Sequence, residues 1–410
     1  MKYFINPYHI LIRIASITAI FLVLFVTSCS DSDVNPEPEP ENKVLLDAEL
    51  VYTATAVQIK LLAQISGLGL DVNEFKYDVE IFKVTYRTTY KGADVTASGL
   101  IVLPKTSQEV AMLSFHHGTI TVQSDAPSNF SASDPSDLVY GALSSSGFIT
   151  VIPDYLGFGT SSSILHPYYV EEFTVSAVID MLNAASELAL KKDIQFNNRL
   201  FLAGYSEGGY ATMATHKAIE ENNLEGFQLI ASFPGAGAYD VKGMQEYLFG
   251  LETYDDPYYL AYMIHAYHLT YDYSTLLTDF FKEPYADRIP DLFNGQKAAE
   301  EIDAQLTDTL AELIQENLFD NINTDPTYTN LVDALEENSL TDWAPEIKMY
   351  LYHGESDSTV PYQNSVNTYN ALLSHGTSPS VLSLIPLEGD HGSAITPYIL
   401  DFVPKLWALR

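Results

Sequence analysis

Three residues spread along this 410-residue chain have the types that a nucleophilic relay requires: Ser206, Asp357 and His391. Ser206 stands at the centre of Gly204-Tyr205-Ser206-Glu207-Gly208. A hydroxyl attacks well only when a base takes its proton, and an imidazole does this best when a carboxylate fixes its tautomer and stabilises its cation. His391 lies in Glu388-Gly389-Asp390-His391-Gly392, and Asp357 in Gly354-Glu355-Ser356-Asp357-Ser358. The order serine, acid, histidine is the one that accompanies a serine carried on a strand–turn–helix. His391 is therefore expected to take the Ser206 proton and later pass it to the leaving group, with Asp357 orienting the ring. Asp390 adjoins His391 and is poorly placed to reach back to it, so Glu355 is the alternative acid. His353 and His375 read as ordinary surface or turn histidines.

The serine needs a particular support. Leu200 to Ala203 reads as a buried strand and Gly208 to about Glu221 as a helix, which leaves almost no chain for the turn between them. Such a bend forces its central residue into strained backbone, and Gly204 and Gly208 stand where a β-carbon would collide. The expected oxyanion hole uses the backbone N–H of Glu207 and a second N–H from the loop after His116, with Thr119 the best-placed donor. His116 and His117 are neighbours at a strand end, so they point to opposite faces and cannot chelate one ion. His265 and His268 lie three apart on a helical stretch without a completing ligand, and no metal is expected.

The surrounding elements alternate. Asp78–Tyr90 and Asp94–Leu103 read as antiparallel strands around Lys91-Gly92. Further strands are expected at 110–115, 148–153, 200–203, 228–233, 348–352 and 381–385, with a helix over 170–190. A helix is also expected over 45–65, with Val57, Leu61 and Ile65 on one face and Gly67 and Gly69 stopping it. This pattern predicts an α/β fold with a mostly parallel, eight-stranded sheet flanked by helices. Residues 236–344 interrupt it with helical and loop signals, among them Tyr247, Tyr254, Tyr258, Tyr259, Tyr262, Tyr267, Tyr271 and Tyr273, and an exposed helix over 296–317. A span this long after the sixth strand is expected to be an inserted helical cap, or lid, over the serine. The core is then 45–235 with 345–410.

Composition narrows the partners. The formal net charge is −34, which argues against nucleic acid and anionic surfaces, and 47% hydrophobic residues supply a full core. Lys2 and Arg13 accompany the apolar run 14–26, which suits a signal peptide over residues 1–28. Val26-Thr27-Ser28-Cys29 resembles a bacterial lipobox, which implies cleavage before Cys29, the chain's single cysteine, and lipid attachment to its thiol. Residues 29–44, with Asn35-Pro36-Glu37-Pro38-Glu39-Pro40-Glu41, read as an extended tether. The expectation is a cell-envelope lipoprotein, at the outer membrane or cell surface, that meets the membrane only through that anchor.

With these residues in place, the chain resembles an α/β-hydrolase. The likeness is fullest to secretory lipases of the lipase A type and to bacterial secreted cell-wall esterases. Tyr86-Arg87-Thr88-Thr89, Ala97-Ser98-Gly99-Leu100-Ile101-Val102-Leu103-Pro104, Pro153-Asp154-Tyr155-Leu156-Gly157 and Gly204-Tyr205-Ser206-Glu207-Gly208-Gly209 carry it. The resemblance implies ester hydrolysis through an acyl-enzyme, with neither metal nor organic cofactor. The tyrosine-rich cap suggests short-chain or carbohydrate-linked esters, acetyl or hydroxycinnamoyl, because tyrosine offers flat apolar faces with a polar rim. A longer-chain lipase, a small serine aminopeptidase and a glycan-binding lipoprotein on a dead scaffold are the rival expectations.

Overall fold

The computed structural model describes residues 43–131 and 140–410. The signal peptide, Cys29 and the tether up to residue 42 lie outside the described residues. Nine strands form one sheet: β1 (Leu45–Ala54), β2 (Val79–Tyr90), β3 (Ala93–Pro104), β4 (Val110–His116), β5 (Phe148–Pro153), β6 (Phe196–Tyr205), β7 (Gln228–Gly235), β8 (Lys348–Gly354) and β9 (Leu382–Leu387). Their spatial order is β1-β2-β3-β5-β4-β6-β7-β8-β9. The first four are joined antiparallel, and from β5 through β9 every pairing is parallel. Parallel strands covered on both faces should be continuously apolar, and all six residues of β5 are buried. The β2–β3 hairpin turns at Lys91 and Gly92, with φ of 50° and 74°, the paired positive values of a tight hairpin turn.

Helices flank the sheet, beginning with α1 (Ala56–Ser66), α2 (Tyr140–Ser145), α3 (Glu171–Lys191) and α4 (Glu207–Asn222). Between β7 and β8 come α5 (Val241–Phe249), α6 (Pro257–Thr270), α7 (Tyr285–Leu292), α8 (Ala299–Asp303), α9 (Leu310–Leu313), α10 (Glu316–Asn321) and α11 (Thr329–Glu337). α12 (Tyr362–Ser374) and α13 (Ile395–Leu409) complete the chain. The insertion between β7 and β8 contributes no strand to the sheet.

Four expectations are corrected. The sheet has nine strands, because the first half of the expected helix over 45–65 is β1. Leu50-Val51-Tyr52-Thr53 is a β-favouring run, and it pairs with the edge that β2 offers. The insertion accordingly follows the seventh strand. The helix itself starts only after Thr55, whose hydroxyl accepts from Gln58 N while the Gln58 side chain accepts from Thr55 N, a capping box. Its inward residue is Ile59, whereas Val57, Leu61 and Ile65 are 75%, 55% and 72% exposed. The exposed helix over 296–317 is three short pieces, α8, α9 and the start of α10, with Ile302, Leu310, Leu313 and Ile314 buried. Pairing of Thr253 with Thr309, and of Phe281 with Ile314, draws the backbone out of helix between and after those pieces.

Candidate active site

The strand β6 ends at Tyr205 and α4 begins at Glu207, so Ser206 alone makes the bend. Its backbone has φ 61° and ψ −124°, a strained conformation for a residue with a β-carbon. Ser206 N donates to Gly235 O at 2.8 Å, and Gly209 N and Tyr210 N donate to Ser206 O at 2.9 and 3.1 Å. These bonds hold the bend from both sides. A β-carbon at Gly204 would sit 2.3 Å from Gly208 O, and one at Gly208 would sit 2.0 Å from His116 O. Both glycines are therefore required by close backbone approach.

The relay residues expected from sequence meet. His391 Nε2 lies 2.9 Å from Ser206 Oγ, and His391 Nδ1 lies 2.6 Å from Asp357 Oδ2. Asp357 is buried, and its other oxygen accepts from Val360 N at 2.9 Å. Burial pushes the Asp357 carboxyl up, but hydrogen bonds from His353 and His391 outweigh it and hold the group below its ordinary value. Neither rival acid reaches the ring. Asp390 accepts from Ser393 N and Oγ within its own turn, and Glu355 is exposed.

His353 departs from its surface reading. It is fully buried, with Nε2 2.8 Å from Val360 O and 3.2 Å from Asp357 Oδ2, and Nδ1 2.6 Å from Ser365 Oγ. Because a carbonyl only accepts, Nε2 carries the proton, and the ring is a second donor to Asp357. His375 does lie at the surface, 3.4 Å from Asp342. Tyr205 and Tyr398 also serve the site, although neither was singled out. Tyr205 OH donates to His391 O at 2.9 Å, and Tyr398 OH donates to Phe233 O at 2.7 Å and accepts from Gly204 N at 3.0 Å. The histidine loop and the elbow strand are thus tied to one cluster of phenols.

The loop after β4 approaches the elbow. An ideal β-carbon on Gly118 would lie 3.6 Å from Ser206 Cβ, so Gly118 and Thr119 reach the serine's surroundings. The Thr119 hydroxyl lies 2.9 Å from Tyr168 OH, and either of the two can donate. His116 turns away from this loop into the core, bonded to Ser114 Oγ and Thr212 Oγ1, and burial drives its pKa down to about 3. His265 on α6 is pushed down to about 4, again chiefly by burial. Among the described residues no group of three or more His, Cys, Asp or Glu is arranged to hold a metal.

Ser206 borders a narrow cavity of about 40 Å³. Its walls include Val241, Met244, Leu248, Leu260, Met263 and Val360, together with Tyr168, Tyr169, Tyr254 and Tyr259. Of the eight cap tyrosines noted in the sequence, only Tyr254 and Tyr259 line it. Three of the others are committed to packing: Tyr267 OH donates to Tyr169 O, Tyr273 OH donates to Asn330 O, and Tyr271 OH accepts from Asn338 Nδ2.

Sequence reasoning passed over a second buried pair beside the serine. His166 Nε2 lies 2.6 Å from Glu207 Oε1, and both side chains are sealed from solvent. No spacing or motif marks His166, which sits in a loop between β5 and α3.

A mostly parallel sheet, flanking helices and a serine on the strand–helix elbow define the α/β-hydrolase fold, and the chain has that fold. Among solved structures it is similar to a candidate hydrolase from Legionella pneumophila, with a TM-score of 0.80 and 26% identity over 90% of this chain and 98% of that one. It is also similar to the rice cell wall degrading esterase LipA from Xanthomonas oryzae, with a TM-score of 0.77 and 24% identity over the same shares. The closed state of Candida antarctica lipase A aligns with a TM-score of 0.63 and 15% identity, covering 90% of this chain and 81% of that chain. The likeness to esterases and lipases read from the sequence therefore holds for the fold. No family model and no curated protein sequence matches the chain.

Proposed function

We propose that the protein is a serine carboxylic-ester hydrolase that works through an acyl-enzyme. The observation that carries this reading is the continuous contact Ser206 Oγ–His391 Nε2–Asp357 at the rim of an apolar cavity. In the proposed cycle Ser206 Oγ attacks the ester carbonyl while His391 Nε2 takes its proton. The tetrahedral oxyanion is met by the N–H groups of Glu207 and Thr119, each worth roughly 2.7–4 kcal/mol of transition-state stabilisation. The C–O bond to the alcohol then breaks, and His391 returns the proton to the departing alkoxide. Water, deprotonated by the same ring, attacks the acyl-Ser206 carbonyl, and the acid leaves as the serine regains its proton.

The substrates in this proposal are short-chain or carbohydrate-linked esters, with the acyl group entering the cavity and the alcohol lying toward the helical insertion. The Xanthomonas neighbour is described as a cell wall degrading esterase, which supports a carbohydrate-linked alcohol. One observation favours a second reading, hydrolysis of longer acyl glycerides: six of the cavity residues are Val, Leu or Met rather than phenols. A lipid on Cys29 holds the enzyme to the cell envelope in either case.

A fluorophosphonate probe should label the wild type and not Ser206→Ala. A panel of acetyl to palmitoyl p-nitrophenyl esters, beside acetyl-xylan and feruloyl substrates, then sorts the readings. Highest turnover on palmitoyl would replace the carbohydrate ester by a lipid, and preference for p-nitroanilides would replace esterase by peptidase. A folded wild type that takes no label would leave a binding protein.

A further inference from the structure

Glu207 follows the serine directly, and its own backbone N–H is the proposed oxyanion donor. Its carboxyl is buried, so an ionised side chain would put a negative charge in a dry site close to where a second negative charge develops. At low effective dielectric two such charges repel strongly. His166 answers this by geometry. Its Nδ1 lies 2.7 Å from Leu156 O, an acceptor only, so Nδ1 carries a proton. Its Nε2 lies 2.6 Å from Glu207 Oε1. A bare nitrogen lone pair and a bare carboxylate oxygen would repel at that distance, so the contact contains one proton. Whether that proton sits on nitrogen, giving imidazolium and carboxylate, or on oxygen, giving two neutral groups, the pair has zero net charge.

Nothing else nearby supplies that neutralisation. No lysine or arginine pairs with Glu207 among the described residues. The ring of His166 is surrounded by Tyr155, Phe158, Tyr168 and Tyr262, with centroids 5.2–5.9 Å away. The other titratable groups facing the pair are Tyr169, Tyr259 and His265. Burial holds the phenols of Tyr155, Tyr168, Tyr169, Tyr259 and Tyr262 above their ordinary value, and it holds His265 down at about 4, so all six stay neutral.

We propose that His166 is a positioning residue for catalysis: it shares one proton with the Glu207 carboxyl and so keeps the back of the oxyanion site uncharged while it fixes the first turn of α4. The inference rests on the ester-hydrolase reading. Removing His166 leaves Glu207 free to ionise, with no change in the serine, its base or the acyl cavity.

A double-mutant cycle on p-nitrophenyl butyrate tests this. His166→Gln should lower kcat at least tenfold with KM changed less than threefold, and the ratio to wild type should fall further from pH 6 to pH 9. In the Glu207→Gln background the same substitution should lower kcat less than threefold, because no carboxyl remains to ionise. Equal losses in the two backgrounds, or a loss independent of pH, would show a purely structural role and overturn the proposal. If His166→Gln does not fold, or if wild type and Ser206→Ala prove equally inactive on esters, long-range ¹⁵N–¹H spectra of the wild type decide. A protonated Nδ1 on His166 is expected; a ring protonated on Nε2 alone overturns the shared proton whatever the fate of the esterase reading.

Discussion

Among the described residues two carboxyl–imidazole contacts share the shortest length, 2.6 Å, one reaching Ser206 through His391 and one at the next residue, Glu207. In one, Asp357 holds His391, whose second nitrogen faces the serine hydroxyl and whose side chain is 17% exposed. In the other, Glu207 meets His166, whose second nitrogen is occupied by Leu156 O and whose side chain is 3% exposed. The chemical groups are of the same kind, so chemistry alone does not decide which pair moves protons. What differs is the partner on the far nitrogen. A hydroxyl beside a cavity can exchange a proton with that nitrogen, and a backbone carbonyl in the core cannot.

The largest break in that contrast is expected from Asp357→Asn. An amide no longer demands a proton on Nδ1, so His391 can present the wrong nitrogen to Ser206, and kcat should fall roughly 10⁴-fold with the fold intact by circular dichroism. His353→Gln removes the second donor to Asp357 without touching His391. Its kcat should fall about tenfold, or ~1.4 kcal/mol, in the same ester assay. An undiminished rate would show that His391 and Val360 N suffice to hold the carboxylate.

The open side of the comparison can be sharpened through its cavity. Met244→Trp puts a larger side chain into the wall of the cavity that Ser206 borders, so kcat/KM on octanoyl esters should drop about tenfold relative to acetyl, since a methylene in an apolar pocket is worth roughly 1–3 kcal/mol. Parallel losses on both esters would move the acyl site elsewhere.

Acid should then separate buried histidines from the relay by a smaller, graded effect on stability. His116 and His265 have folded values of about 3 and 4, below the unfolded value near 6.5. The unfolded chain binds more protons in that window, so stability falls as pH drops from about 6.5 toward 3, by at most ~1.4 kcal/mol per pH unit for each ring. Asp357, also depressed, adds stability above its unfolded value that is lost as pH falls through its lower folded one. Thermal midpoints measured from pH 7 to pH 4 should decline steadily; a flat profile would mean these rings are already charged in the fold.

Much of the site was legible because its parts are local. The five residues from Gly204 to Gly208 encode a backbone bend whose steric demands are met within that stretch, and the strand and helix around it follow from short-range pattern. The 45–65 segment misled for a related reason: its apolar spacing suits a helix, but an available sheet edge captured the first ten residues as β1. His166 and His353 were not legible, since each occupies a loop or strand end without motif, and their roles depend on which carboxylate lies opposite.

Residue type and order thus determined the elbow, the choice of Ser206, Asp357 and His391, and the alternation that builds a parallel sheet. The tertiary structure alone decided which histidine meets which acid and which meets the serine, because the two acid contacts join side chains 34 and 41 residues apart, the serine contact joins side chains 185 apart, and all three arise only when the strand order brings their loops together. It also decided that Tyr267, Tyr271 and Tyr273 of the insertion would be spent on packing while Tyr254 and Tyr259 line the cavity, since a phenol becomes a wall of the site or a strut of the core according to where the fold places it.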